Sequence, residues 1–116
     1  MRDFRKYEIW QKAVDIADIV YTVCECLPKY ELYALGDQLR RAAVSISSNI
    51  AEGASRTSAI EFAHFLEIAI GSAFEVETQL QIAKRRKYIT DEVLDEIVSE
   101  LQSEERQINT FISKIR

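Results

Sequence analysis

Histidine, proline and glycine are nearly missing from this chain, which has one, one and three of them among 116 residues. Each scarcity excludes something. A many-stranded sandwich or barrel needs more turn formers than these, whereas the Ala, Leu, Ile, Glu, Gln and Arg content favours long helices. A single histidine rules out a two-histidine metal site or a multi-histidine acid–base relay within one chain. No stretch reaches the roughly 18 apolar residues of a membrane span, and the opening MRDFRKYEIWQKAVD is charged. The two cysteines, Cys24 and Cys26, lie two apart on a helical stretch, so their side chains diverge and neither a bridge nor a shared metal is expected. They read as small hydrophobes in a reducing compartment. Together these absences predict one all-α, cytoplasmic domain that is not an enzyme, with 47% hydrophobic residues to fill a single core.

Four apolar stripes follow one another. Ile9, Ala13, Ile16, Val20, Val23 and Leu27 step by three and four along a first helix over about 7–27, which Pro28 ends. A second stripe, Leu35, Leu39, Ala42, Ile46, Ile50 and Gly53, predicts a helix over about 34–55. Ser58 and Glu61 have capping-box spacing and open a third helix, about 58–86, with the heptad seam Phe62, Leu66, Ala69, Ala73, Val76, Leu80 and Ala83. Thr90, followed by Asp91 and Glu92, starts a fourth over about 90–115, with the seam Leu94, Ile97, Leu101, Glu104, Ile108, Phe111 and Ile115. Short connectors make the expected architecture an up-down-up-down antiparallel four-helix bundle. Trp10, Val14, Tyr21, Val44, Ile60, Phe65, Ile68, Ile70 and Phe74 lie off these seams, and one bundle core is too narrow for all of them. A second buried surface between copies of the chain is the economical reading.

Few groupings could carry chemistry. Glu61 and His64 have the Glu-x-x-His spacing of di-iron bundles, but that architecture needs a second copy and the only histidine is already used. Glu104 and Glu75 could form a carboxylate pair if brought together; placement at the bundle margin or pairing with Arg40 or Arg41 is the expected alternative, because a lone buried carboxylate is costly. Ser45, Ser47 and Ser48 lack an adjacent base. Gly36, Gly53 and Gly71 are too scattered for a phosphate loop, and Gly71, in mid-helix, is expected where a neighbouring helix comes close. No cofactor, metal or catalytic residue is expected. Lys84, Arg85, Arg86 and Lys87, followed by Tyr88, make the only concentrated positive patch, suited either to the helix dipole or to phosphates. Residues 91–105 carry seven acids and no base, so the formal charge of -4 averages two opposed regions.

The stretch DQLRRAAVSISSNIAEG, residues 37–53, resembles the signature of the four-helix-bundle proteins encoded in 23S rRNA intervening sequences, the S23 family. YEIWQKA at 7–13, LPKYELYAL at 27–35 and FLEIAIGSAFEVETQL at 65–80 are similar to that family's first helix, connector and third helix. The resemblance implies a bacterial protein that assembles as a ring-shaped homopentamer without known enzymatic activity. More distantly, it implies kinship with an accessory protein of diversity-generating retroelements, whose basic surface contacts nucleic acid and a reverse transcriptase. The family's motif positions correspond here to Gln38, Arg40, Arg41, Ser45, Asn49, Glu52, Gly53, Gly71, Ser72 and Glu75. As side chains they suggest a polar network in which Arg40 or Arg41 pairs with Glu75 or Glu52. The resulting expectation is an oligomeric scaffold that binds RNA or a nucleic-acid-processing protein through basic patches; the alternative is a pure protein–protein interaction module. A membrane partner is not expected.

Overall fold

The computed structural model describes residues 2–116. Four α-helices carry the chain: α1 (Glu8–Cys24), α2 (Leu35–Ala54), α3 (Ala59–Arg85) and α4 (Asp91–Ile115), with 3-10 turns at Phe4–Lys6 and Lys29–Glu31. No strand occurs among the described residues. Each helix packs on the next and α4 returns to α1, closing a bundle of 43 × 23 × 20 Å. The long dimension is that of α3, whose 27 residues span about 40 Å at 1.5 Å per residue.

The seams form the core. Every residue of the α1 stripe is buried, as are Leu39, Ala42, Ile46, Ile50 and Gly53 of α2, and the whole α3 seam. Phe111 and Ile115 are half-buried and close the end of α4 against the core. Full burial of each large aliphatic side chain contributes about 1.5–3 kcal/mol. Alanines along α3, at 63, 69, 73 and 83, keep its backbone close to its neighbours.

Helix ends follow local chemistry. Ser58 Oγ accepts from the Glu61 amide at 3.1 Å and Thr90 Oγ1 from the Val93 amide at 3.2 Å, each satisfying one orphan donor of a first turn. The reciprocal Glu61 bond of a full capping box is not formed among the described residues. α1 stops at Cys24 rather than the expected Leu27. Its chain tightens into i→i−3 bonds from Glu25, Cys26 and Leu27, because the residue before Pro28 is driven away from helical geometry. At the opposite end of the molecule Arg2 donates to the carbonyls of Ala54 (3.3 Å) and Arg56 and lies 4.9 Å over the Phe62 ring. The strap it begins thus ties the carboxyl end of α2 to an aromatic cluster of Tyr7, Phe62 and Phe111, whose ring centroids are 5.0–6.2 Å apart.

Two expectations about single residues need correction. Glu104 is neither marginal nor paired with an arginine: it is 0% exposed, and neither carboxylate oxygen has a partner. The seam position forces it inward, since the residue lies between Leu101 and Ile108 on the buried stripe of α4. Gly71 does not admit a neighbouring helix of its own chain. It is exposed, and a Cβ added there would meet nothing within 4 Å.

Candidate functional site

The basic segment ends α3 with a reversal that its sequence does not advertise. The Lys87 amide donates to Lys84 and the Tyr88 amide to Ala83, both at 2.9 Å, a Schellman arrangement whose left-handed position, φ 65°, is held by Lys87. Glycine would adopt that conformation without strain; lysine does so at about 1 kcal/mol. The turn leaves three of the four cations exposed. Arg85, Arg86 and Lys87 are exposed and form no ion pair among the described residues, while Lys84 reaches Asp91 at 3.4 Å. An open concavity of about 510 Å³ lies beside Lys84, Arg85 and Lys87. Tyr88 anchors it from below by donating to Glu31 at 2.9 Å.

The motif residues of α2 and α3 divide into two groups. Ser45 is the hub of the first. Asn49 Nδ2 donates to its carbonyl (2.8 Å) and Oγ (2.9 Å), and Ser72 Oγ donates to the same hydroxyl from across the helix boundary at 2.9 Å. Gln79 joins the second group, donating to Gln38 Oε1 at 3.4 Å and Glu75 Oε2 at 3.3 Å. A polar seam therefore runs where α2 meets α3. Gln79 escaped sequence reasoning; the available signal was a polar residue wedged between the seam positions Val76 and Leu80.

The expected arginine–glutamate pairing across helices does not occur. Arg40 donates to Asp37 at 2.6 Å and to the Leu32 carbonyl at 2.8 Å, which fixes the connector against α2. Its pKa rises above the ordinary arginine value, chiefly through the Asp37 bond. Glu52 pairs instead with Arg56 at 2.8 Å, four residues on and just past the end of α2, whereas Arg40 and Arg41 lie about three turns away along the helix. Arg41 is exposed and in no ion pair among the described residues. Glu75 and Glu104 do not form a carboxylate pair either, since Glu75 bonds Gln79 at the surface and Glu104 is enclosed. No metal-ligating cluster of His, Cys, Asp and Glu occurs among the described residues, Glu61 and His64 included. Gly53 fills a structural need: a Cβ there would lie 2.8 Å from Phe65 Cβ and 2.9 Å from Phe62 Cδ1, where α2 crosses the first turns of α3.

One face stands out for what it leaves uncovered. Ile60, Ile68, Phe74 and Ile82 of α3 are 81%, 39%, 60% and 48% exposed, and at 100° per residue they fall within an arc of about 120° centred on Gly71. Val14, Tyr21 and Val44 are exposed as well, whereas Trp10 and Ile70 are half-buried on the chain's own core and Phe65 is half-buried beneath Arg56, which lies 4.8 Å over its ring.

Fold and surface together define a helical-bundle protein with a cationic tip and an uncovered apolar face. The family model of the 23S rRNA-intervening sequence proteins matches residues 5–110, and the chain belongs to that family. Among solved structures it is similar to a protein of unknown function from the S23 ribosomal protein family of Bacteroides thetaiotaomicron. The likeness has a TM-score of 0.82 and 25% identity, over 90% of this chain and 97% of that one. No curated protein matches the chain.

Proposed function

We propose that this chain is one protomer of a non-enzymatic, ring-shaped homo-oligomer that holds RNA through the cations at the end of α3. The observation that carries the RNA half is Lys87: a charged residue occupies a left-handed turn position that glycine would fill without strain, and it stands beside two arginines that no carboxylate neutralises. Cations set outward on a rigid turn suit phosphate oxygens, and repetition around a ring would sum several weak grips into one. The family's description as proteins of rRNA intervening sequences supports RNA as the polyanion.

Assembly draws its support from the α3 face. An apolar stripe with a glycine at its centre suits close approach by another helix, and no helix of the same chain makes that approach. Within each protomer, the pairs Ser45–Ser72 and Gln38–Gln79, and likewise Lys12–Ser103, support an antiparallel order: later residues on one helix meet earlier residues on the other. Five copies is the number the family resemblance implies. The cytoplasm is the working compartment in this reading, and both thiols are free.

Titration of the purified protein with single-stranded RNA at rising salt tests the RNA half. Binding should fall linearly in log–log form with salt, and the triple variant Arg85→Ala, Arg86→Ala, Lys87→Ala should lose both affinity and slope. Unchanged affinity and slope in that variant would remove the tip from the reading. Absence of binding at low salt would favour the protein-interaction reading, which draws on the Lys84–Asp91 pair and the acidic α4.

A further inference from the structure

Where α1 meets α4, the bundle carries a groove of about 530 Å³ that adjoins the cationic tip at Tyr88, Ile89 and Thr90 and has the opposite character from it. Facing stripes build it: Ile19 and Val23 from α1 with Cys26 in the turn just past its end, and Val93, Ile97 and Glu100 from α4 at helical i, i+4, i+7 spacing. Its floor is aliphatic. Ile19, at 38% exposure, stands open to solvent there although Asp18 is its neighbour in the chain. Asp18, Glu96 and Glu100 form the rim, and no lysine or arginine lines the groove. Lys12 touches Glu100 from outside it at 3.3 Å, leaving Asp18 and Glu96 in no ion pair among the described residues. The exposed acids Glu92 and Asp95 extend the negative field along α4, while Asp91 pairs with Lys84.

We infer that this groove is a docking site for a basic amphipathic helix of a partner protein. Length, floor and rim each constrain the occupant. Between Asp18 and Cys26, and between Thr90 and Glu100, the walls run for about 12–15 Å, which is two to three turns of a docked helix. The floor takes two or three aliphatic anchors at i, i+3/i+4 and i+7, the usual way a helix enters a groove. Carboxylates on the rim then meet lysines or arginines flanking those anchors. The same carboxylates repel phosphodiesters, so this site recognises protein, while the cationic turn that adjoins it at Tyr88–Thr90 faces RNA. The inference stands whether or not the tip binds RNA.

The test uses three fluorescein-labelled 14-residue peptides: a Leu/Lys amphipathic helix, its Leu/Glu counterpart, and the Lys peptide with its leucines replaced by serine. Anisotropy with the full chain should show binding of the first and at least tenfold weaker binding of the other two. Ile19→Glu and Glu96→Lys, both at exposed or rim positions and checked for folding by circular dichroism, should each weaken the first peptide at least tenfold. Cys26, the exposed thiol at the groove edge, should be shielded from maleimide by that peptide. Four results would overturn the inference. They are no binding of the Leu/Lys peptide, equal binding of the serine peptide, indifference to Ile19→Glu, and shielding of Cys26 by RNA or by raised protein concentration alone, which would assign the groove to nucleic acid or to a second copy.

Discussion

Lys12 passes over Glu104 and takes its neighbours instead: its ammonium donates to Ser103 Oγ at 2.9 Å and pairs with Glu100 at 3.3 Å, leaving Glu104 enclosed with neither oxygen bonded. Burial pushes the Glu104 carboxyl up to about 8, the Lys12 charge pulling only weakly the other way. At neutral pH one of the acids counted in the formal charge of -4 therefore carries a proton.

That proton makes stability depend on pH in a fixed direction. Between about pH 4.5 and 8 the unfolded chain has released the Glu104 proton and the folded chain keeps it, so stability falls as pH rises and levels off above 8. Glu105, raised first by burial and then by Glu77, adds to the same trend. Glu104→Gln should flatten the profile and exceed the parent by about 4 kcal/mol at pH 8, while matching it within about 1 kcal/mol at pH 4. Urea unfolding at fixed protein concentration across that range measures both. A parent profile that rises from pH 5 to 8 would contradict the assignment.

Two glycines on neighbouring helices should respond in opposite ways. Gly53→Ala drives a methyl against Phe65 and Phe62 and should destabilise the chain by about 1–3 kcal/mol. Gly71→Ala meets no atom of its own chain, so an isolated protomer should gain about 0.5–1 kcal/mol of helix propensity. In the assembled protein the same methyl should weaken association. Thermal unfolding at two protein concentrations separates the two effects.

Lys87→Gly relieves the left-handed turn at the end of α3. The variant should be more stable by about 1 kcal/mol and bind RNA more weakly, with a shallower salt slope. Gain of stability with unchanged RNA binding would leave the lysine without a role at the tip.

Much of the fold could be read from periodicity, because a buried stripe is a statement about spacing: the α1 stripe and the α3 seam named from sequence are buried throughout. Caps at Ser58 and Thr90 were legible for the same reason, a short side chain at a fixed offset from an amide. The site was less legible. Arg40 and Glu52 chose partners three and four residues away in the chain, Asp37 on the same helix and Arg56 just past its end, because such neighbours are already within reach before tertiary packing brings α3 near. Gln79 and the left-handed Lys87 depend on helix rotation and on the turn at the end of α3, neither of which a residue type encodes. For Gly71 the sequence signalled close approach, and the chain's own helices do not supply it.

Assembly through the α3 face is tested most directly by solution mass from light scattering on the parent and on Gly71→Arg. The parent should give a multiple of the 13.4 kDa chain, five in the ring proposed above, and Gly71→Arg should fall to a folded single chain of that mass. A parent that is monomeric at working concentration, or a Gly71→Arg variant that keeps the full assembly mass, would contradict it.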